Sequence, residues 1–155
     1  MLFGCNRIGK DFLKTALKNK LNISIIDHDP EIIKEMESSN IPSIYGDASD
    51  NDFLDTLNIE NTKMIISTIP DFETNQFLVS KIIEKNKDAI TVVLSHNTEE
   101  AISLYESGAT YVLTPHFLGG KYTSMLISKH GFNFKKYILE KEKHIKDLKN
   151  THNSF

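Results

Sequence analysis

Met1-Leu2-Phe3-Gly4-Cys5-Asn6-Arg7-Ile8-Gly9 opens the chain, and Ile23-Ser24-Ile25-Ile26-Asp27-His28-Asp29-Pro30 follows one helix-length later. These two stretches decide the fold. Each carries a short apolar run of the kind that forms a buried strand. Between them Ile8, Phe12, Leu13, Ala16 and Leu17 recur at the three- and four-residue spacing of one helix face. Strand, glycine turn, helix and strand in this order make a βαβ unit, and the turn reads G-x-N-x-x-G. Its first glycine permits a tight turn, and its last lets helix and strand approach. The helix N-terminus behind it offers unpaired N–H groups to a phosphate. Asp27 ends the second strand about 20 residues on, where such folds place an acid that accepts from a ribose diol and repels a 2′-phosphate.

The same alternation continues to residue 113. Six strands are expected, at Met1 to Phe3, Ile23 to Ile26, Ser43 to Tyr45, Met64 to Thr68, Thr91 to Leu94 and Tyr111 to Leu113. Several are apolar throughout, as strands covered on both faces should be. The expected fold class is therefore α/β, a Rossmann-like doubly wound parallel six-stranded sheet with an additional C-terminal helix. Helix boundaries are punctuated. Asp29-Pro30 places a capping acid before a first-turn proline, Thr98 reads as the cap of an acidic first turn, and Gly108 suits a left-handed helix end. From Phe134 the sheet pattern stops, and Phe134, Ile138, Ile145 and Leu148 form one apolar seam. The division expected is a nucleotide-binding domain over residues 1–133 and a helix and tail over 134–155.

Composition narrows the function classes. The 155 residues hold 18 basic and 21 acidic side chains, for a net charge of −3, which is not the footprint of a nucleic-acid binder. No apolar run approaches the roughly 20 residues of a membrane-spanning helix, so neither a membrane span nor a signal peptide is expected. A single cysteine makes no internal disulfide and points to a reducing compartment. Residues 135–149 place six Lys against Glu140, Glu142 and Asp147, which reads as a solvated helix face, with an anionic surface or partner as the alternative. His28, His96, His116, His130, His144 and His152 show no ligand spacing with one another or with Cys5, so no metal site is expected. Cys5, in the phosphate turn with no evident base, reads as an inert turn residue.

Arg7 is the only arginine, and it sits in the glycine turn, where its fork of donors suits a phosphate. Tyr45-Gly46-Asp47-Ala48 after the third strand and Ser67-Thr68-Ile69-Pro70 after the fourth end at the same carboxyl edge of the sheet. Ligands of doubly wound sheets bind there. Both loops are therefore candidates for the adenine and for the sugar or phosphate of a nucleotide.

The glycine turn with its internal Arg, the Ile26-Asp27-His28-Asp29-Pro30 strand end and Gly46-Asp47-Ala48 together resemble the N-terminal lobe of RCK (TrkA-N) domains. These are cytosolic nucleotide sensors of potassium channels, Trk/Ktr uptake systems and Kef-type cation:proton antiporters. The resemblance covers residues 1 to about 134, and Thr114 to Gly120 with the helix that follows is similar to the end of Kef-type antiporters.

The resemblance implies that Gly4, Asn6, Arg7, Ile8 and Gly9 form the phosphate turn, with Gly4, Arg7 and Gly9 holding phosphate. It implies Asp27 at the ribose and Asp47 and Ala48 at the adenine end, while Thr68 and Ile69 are candidates by their place at the carboxyl edge of the sheet. His28 either lies along the adenine or faces water. Asn6 departs from the usual glycine, and a mononucleotide such as AMP demands less room there than a dinucleotide. The implied cofactor is an adenine nucleotide, AMP, ADP, ATP or NAD/NADH. The implied partners are a second copy of the domain and a membrane-embedded cation transporter or channel, with the domain on the cytoplasmic side. Two other readings stay open, an NAD-dependent oxidoreductase and a ligand-free dimerisation module.

Overall fold

The structure is a computed structural model that describes the backbone of residues 1–152 and the side chains of residues 1–149. The last three residues of the expected 134–155 segment, and the side chain of His152, lie outside the described residues.

The chain runs β1 (Leu2–Phe3), α1 (Arg7–Lys18), β2 (Ile25–Asp27), α2 (Pro30–Ser38), β3 (Ser43–Tyr45), α3 (Asn51–Thr56), β4 (Met64–Ser67), α4 (Phe72–Lys85), β5 (Ile90–Leu94), α5 (Thr98–Glu106) and β6 (Tyr111–Leu113). Two further helices follow, α6 (Pro115–His130) and α7 (Phe134–His152). The six strands form one parallel sheet in the order β3-β2-β1-β4-β5-β6. The chain winds outward from β1 to β3, returns to the centre, and winds outward the other way from β4 to β6. The switch point lies between β1 and β4, where the turns leaving the two strands diverge and leave a crevice.

Strand alternation explains why both faces are apolar. Leu2 and Ile25 pack with Cys5, Leu13, Met36 and Ile41 on one face, while their neighbours Phe3 and Ile26 pack with Leu54, Ile65, Leu78 and Ile82 on the other. The register pairs Phe3 with both Ile26 and Ser67, which aligns the carboxyl ends of β1, β2 and β4. A third cluster, Val79, Val93, Ala101, Leu104, Ala109 and Val112, closes the β5–β6 side.

Every crossover helix begins on an Asx cap: Asn6, Asp29, Asp50, Asp71 and Asn97 each accept a hydrogen bond from a first-turn N–H. The cap of α5 is therefore Asn97 rather than Thr98, because Asn97 is extended and its side chain reaches the Glu99 N–H at 2.8 Å, while Thr98 is already helical. Gly108 has φ +107° and ends α5 as expected. β2 is shifted to Ile25–Asp27, carrying Asp27 into the sheet opposite Tyr45.

The chain falls into two compact units, Met1–Thr114 and Pro115–Phe155, a division that lies ahead of the one expected at residue 133. α6 groups with α7 rather than with the sheet. In this second unit the two helices are joined through Gly131, at φ +53°, and Asn133 caps α7. His130 Nε2 donates to Glu140 Oε1 at 3.0 Å, and the Tyr137 ring meets the imidazole edge-on at 5.8 Å. No residue of α6 is buried, and Phe117, Tyr122, Met125 and Ile127 are each more than half exposed. The expected seam on α7 is likewise open, with Phe134 at 74% and Leu148 at 57% exposure.

Candidate functional site

A cavity of about 450 Å³ opens at the switch point, within the range of small-molecule sites. Its walls come from the ends of β1 (Phe3, Gly4, Asn6), β2 (Ile26, Asp27, His28, Asp29), the turn after β3 (Gly46 to Ser49) and the turn after β4 (Ile69, Pro70), with Ile32 and Thr74 from the first turns of α2 and α4.

Asp27 is the hub of these segments. Its side chain is only 8% exposed. Oδ2 accepts from the Cys5 N–H at 2.7 Å, and Oδ1 accepts from the Asp29 N–H at 3.0 Å. One carboxylate thus ties the glycine turn to the end of β2 and the start of α2. A charged acceptor makes each of these bonds stronger than a neutral one would be.

The glycine turn has the geometry its sequence demands. Gly4 sits at φ +79°, a conformation costly to any residue with a Cβ. A Cβ on Gly9 would land within the contact radius of the Gly4 carbonyl oxygen, so helix and strand close up only with glycine there. Thr68 Oγ1 donates to the Gly4 carbonyl at 2.8 Å, which fastens the β4 turn to the β1 turn. Asn75, fully buried in α4, donates to the carbonyls of Ile69 and Leu94 at 2.8 and 2.9 Å and so holds the other end of the β4 turn.

Across the cavity, Asp47 Oδ1 accepts from both the N–H and the hydroxyl of Ser49 at 2.8 Å. These bonds, with a smaller contribution from the neighbouring His28, hold the Asp47 carboxyl below the usual carboxylate range. A Cβ on Gly46 would enter the ring of Phe53, so a larger residue there would force that ring to move. The Cys5 thiol is buried, and loss of hydration pushes it up to about 11, with Lys10 opposing and Asp27 and Glu35 adding to the rise. A thiol in that state is a poor nucleophile.

Of the residues the sequence singles out, Gly4, Asn6, Asp27, His28, Asp47, Ala48 and Ile69 line the cavity. Arg7, Ile8, Gly9 and Thr68 do not. Arg7 is exposed on the first turn of α1, next to the lining residue Asn6, while Gly9 and Thr68 are buried behind the turn. The His28 side chain is 81% exposed, with Nδ1 at 3.8 Å from Asp27 Oδ1. Asp29, Ile32, Ser49 and Thr74 were not singled out as ligand-facing. Asp29 is legible as a cap in Asp29-Pro30, but its place on the cavity wall follows from the packing of α2 against the sheet. Among the described residues, no three His, Cys, Asp or Glu side chains cluster as metal ligands.

Residues 1–115 match the model of the TrkA-N domain. The chain belongs to the TrkA-N domain family. The resemblance read from the three motifs is thereby borne out. Among curated relatives, potassium channel protein 1 of Methanocaldococcus jannaschii is 26% identical over 122 residues, covering 77% of this chain and 37% of that protein. The chain thus spans little more than a third of that relative. Among solved structures, the TrkA-N domain of inner membrane protein ybaL from Escherichia coli superposes with a TM-score of 0.77 at 21% identity, covering 81% of this chain and 93% of that one. The Kef C-terminal domain of Shewanella denitrificans in its AMP-bound form superposes at 0.71 with 16% identity, covering 97% and 91%. These superpositions establish the TrkA-N domain's fold as the doubly wound one read from the sequence. No helix among its described residues is long and apolar enough to cross a membrane.

Proposed function

We propose that this TrkA-N domain is a regulatory nucleotide sensor. An adenine nucleotide binds in the switch-point cavity, and its occupancy biases a membrane-embedded channel or cation:proton antiporter that carries or contacts the domain on the cytoplasmic side. The observation that carries this reading is Asp27, a buried carboxylate ending β2, facing the cavity and fastened to the glycine turn. The potassium-channel relative and the AMP-bound Kef domain supply the class of partner and ligand.

In this reading Asp27 takes the ribose hydroxyls on its remaining lone pairs. The turn at Asp47 and Ala48 takes the adenine, and Arg7 takes the phosphate from the rim. The cavity wall carries three carboxylates and no Lys or Arg, so the negative end of the ligand lies toward Arg7 and the neutral ring lies among the acids. The domain senses rather than reacts. A ligand shifts a two-state assembly by the difference of its affinities for the two states, typically ~1–3 kcal/mol. Calorimetry with AMP, ADP, ATP, NAD and NADP tests it. Micromolar-range binding of a ligand without a 2′-phosphate is expected, and equal or tighter binding of NADP refutes the role of Asp27.

The second state needs a second subunit. The exposed apolar side chains of α6 and α7 form more open surface than scattered residues explain, and a second copy of the chain is the occupant we assign to it. Light scattering should give a dimer for the whole chain and a monomer for a version ending at Lys129. A monomer for the whole chain at high concentration refutes the pairing.

A further inference from the structure

Asn6 stands where dinucleotide turns carry their middle glycine, and both ends of its side-chain amide are engaged. Oδ1 accepts from the N–H groups of Ile8 and Gly9 at 3.0 and 3.2 Å, and Nδ2 donates to the Thr68 carbonyl at 3.0 Å. The Lys10 N–H is taken by the Asn6 carbonyl at 2.8 Å. Of the four amides that a helix leaves open at its start, the Asn6 side chain takes those of Ile8 and Gly9, and those of Asn6 and Arg7 have no protein partner among the described residues. The side chain also lines the cavity between the Gly4 turn and the β4 turn.

From this geometry we infer that Asn6 is the specificity-determining residue of the site, and that it selects a nucleotide with a terminal phosphate over a dinucleotide. This rests on the nucleotide reading above. A pyrophosphate that bridges two nucleosides must cross the glycine turn and take the first-turn amides, which is why the middle position is ordinarily glycine. Here a neutral amide oxygen already fills two of those amides, and the side chain occupies the crossing point. A terminal phosphate needs neither. It reaches the Arg7 N–H and the Arg7 guanidinium from the rim, while the nucleoside lies in the cavity against Asp27. Rotating Asn6 out would strand the Ile8 and Gly9 amides and the Thr68 carbonyl bond together, so the dinucleotide carries a cost that AMP avoids.

Isothermal titration of the full chain with AMP, NAD and adenosine tests the inference. The wild type should bind AMP at least about tenfold tighter than NAD, the equivalent of one hydrogen bond to a charged group. Asn6→Gly should narrow that ratio by about tenfold by opening the crossing point. Asn6→Asp keeps the cap and the bulk, so it should weaken both ligands through charge, leave adenosine unaffected and keep the preference for AMP. Circular dichroism confirms that each variant is folded. Equal affinity of the wild type for AMP and NAD overturns the inference without recourse to any variant. So does an unchanged ratio in folded Asn6→Gly, or a ratio relaxed by Asn6→Asp. Absence of binding by AMP, NAD and adenosine to every protein overturns the nucleotide reading itself, and the selectivity with it.

Discussion

Replacing Asp27 with Asn separates what this carboxylate does for the fold from what it does for a ligand. Both of its oxygens accept backbone N–H groups, from Cys5 at 2.7 Å and Asp29 at 3.0 Å. An amide has one acceptor. Whichever way it turns, its NH2 faces one of the two backbone donors. The change removes one charge-assisted bond, at about 1.5–3 kcal/mol, and strands a donor, at about 1–3 kcal/mol. The surviving bond becomes neutral and weaker. Allowing for partial relaxation around the turn, the expected loss is about 3 kcal/mol, or a fall in Tm of about 10 °C for a domain of this size.

Urea denaturation followed by circular dichroism, with no nucleotide present, measures the loss directly. Asp29→Asn is the control, because it preserves a good helix cap and should cost only a few tenths of a kcal/mol. A folded Asp27→Asn within about 0.5 kcal/mol of the wild type, the ordinary range of surface changes, would refute the claim that Asp27 holds the glycine turn.

Arg7→Ala should weaken AMP by about 1.5–3 kcal/mol, as expected for hydrogen bonds to a charged group, while adenosine is unaffected, and an equal loss for both in calorimetry would make Arg7 structural. Cys5 should resist iodoacetamide at pH 8 in the folded protein, as followed by mass spectrometry, because its pKa is raised to about 11. The same shift means that the stability tied to this thiol is fully present below about 9 and is lost as pH rises towards about 11. The His130 contact holds Glu140 below the usual carboxylate range. A depressed folded-state value gives stability that is present above the unfolded value and lost as pH falls through the folded one. Glu140→Gln should therefore speed hydrogen exchange around the α6–α7 turn at neutral pH and flatten its rise in acid, and exchange identical to wild type would show that the pair carries no stability.

The sequence by itself determined the winding of the sheet and the identity of its key turn. Short apolar runs at the pitch of βα units admit one economical arrangement, and Gly4, Gly9 and Asp27 have spacings that only a strand, turn, helix and strand can satisfy. These are local constraints, carried by residues close in the chain, and so legible without coordinates. Tertiary structure decided what those residues do to one another. That both oxygens of Asp27 are taken by backbone donors follows from the packing of the β1 turn against β2 and the start of α2. That Asn6 caps α1 and also reaches the Thr68 carbonyl, 62 residues away in the chain, depends on β1 and β4 lying side by side. The grouping of α6 with α7 was equally hidden. Its apolar residues have a helical pattern whether or not they meet the sheet, and periodicity shows that a face is apolar without showing what covers it.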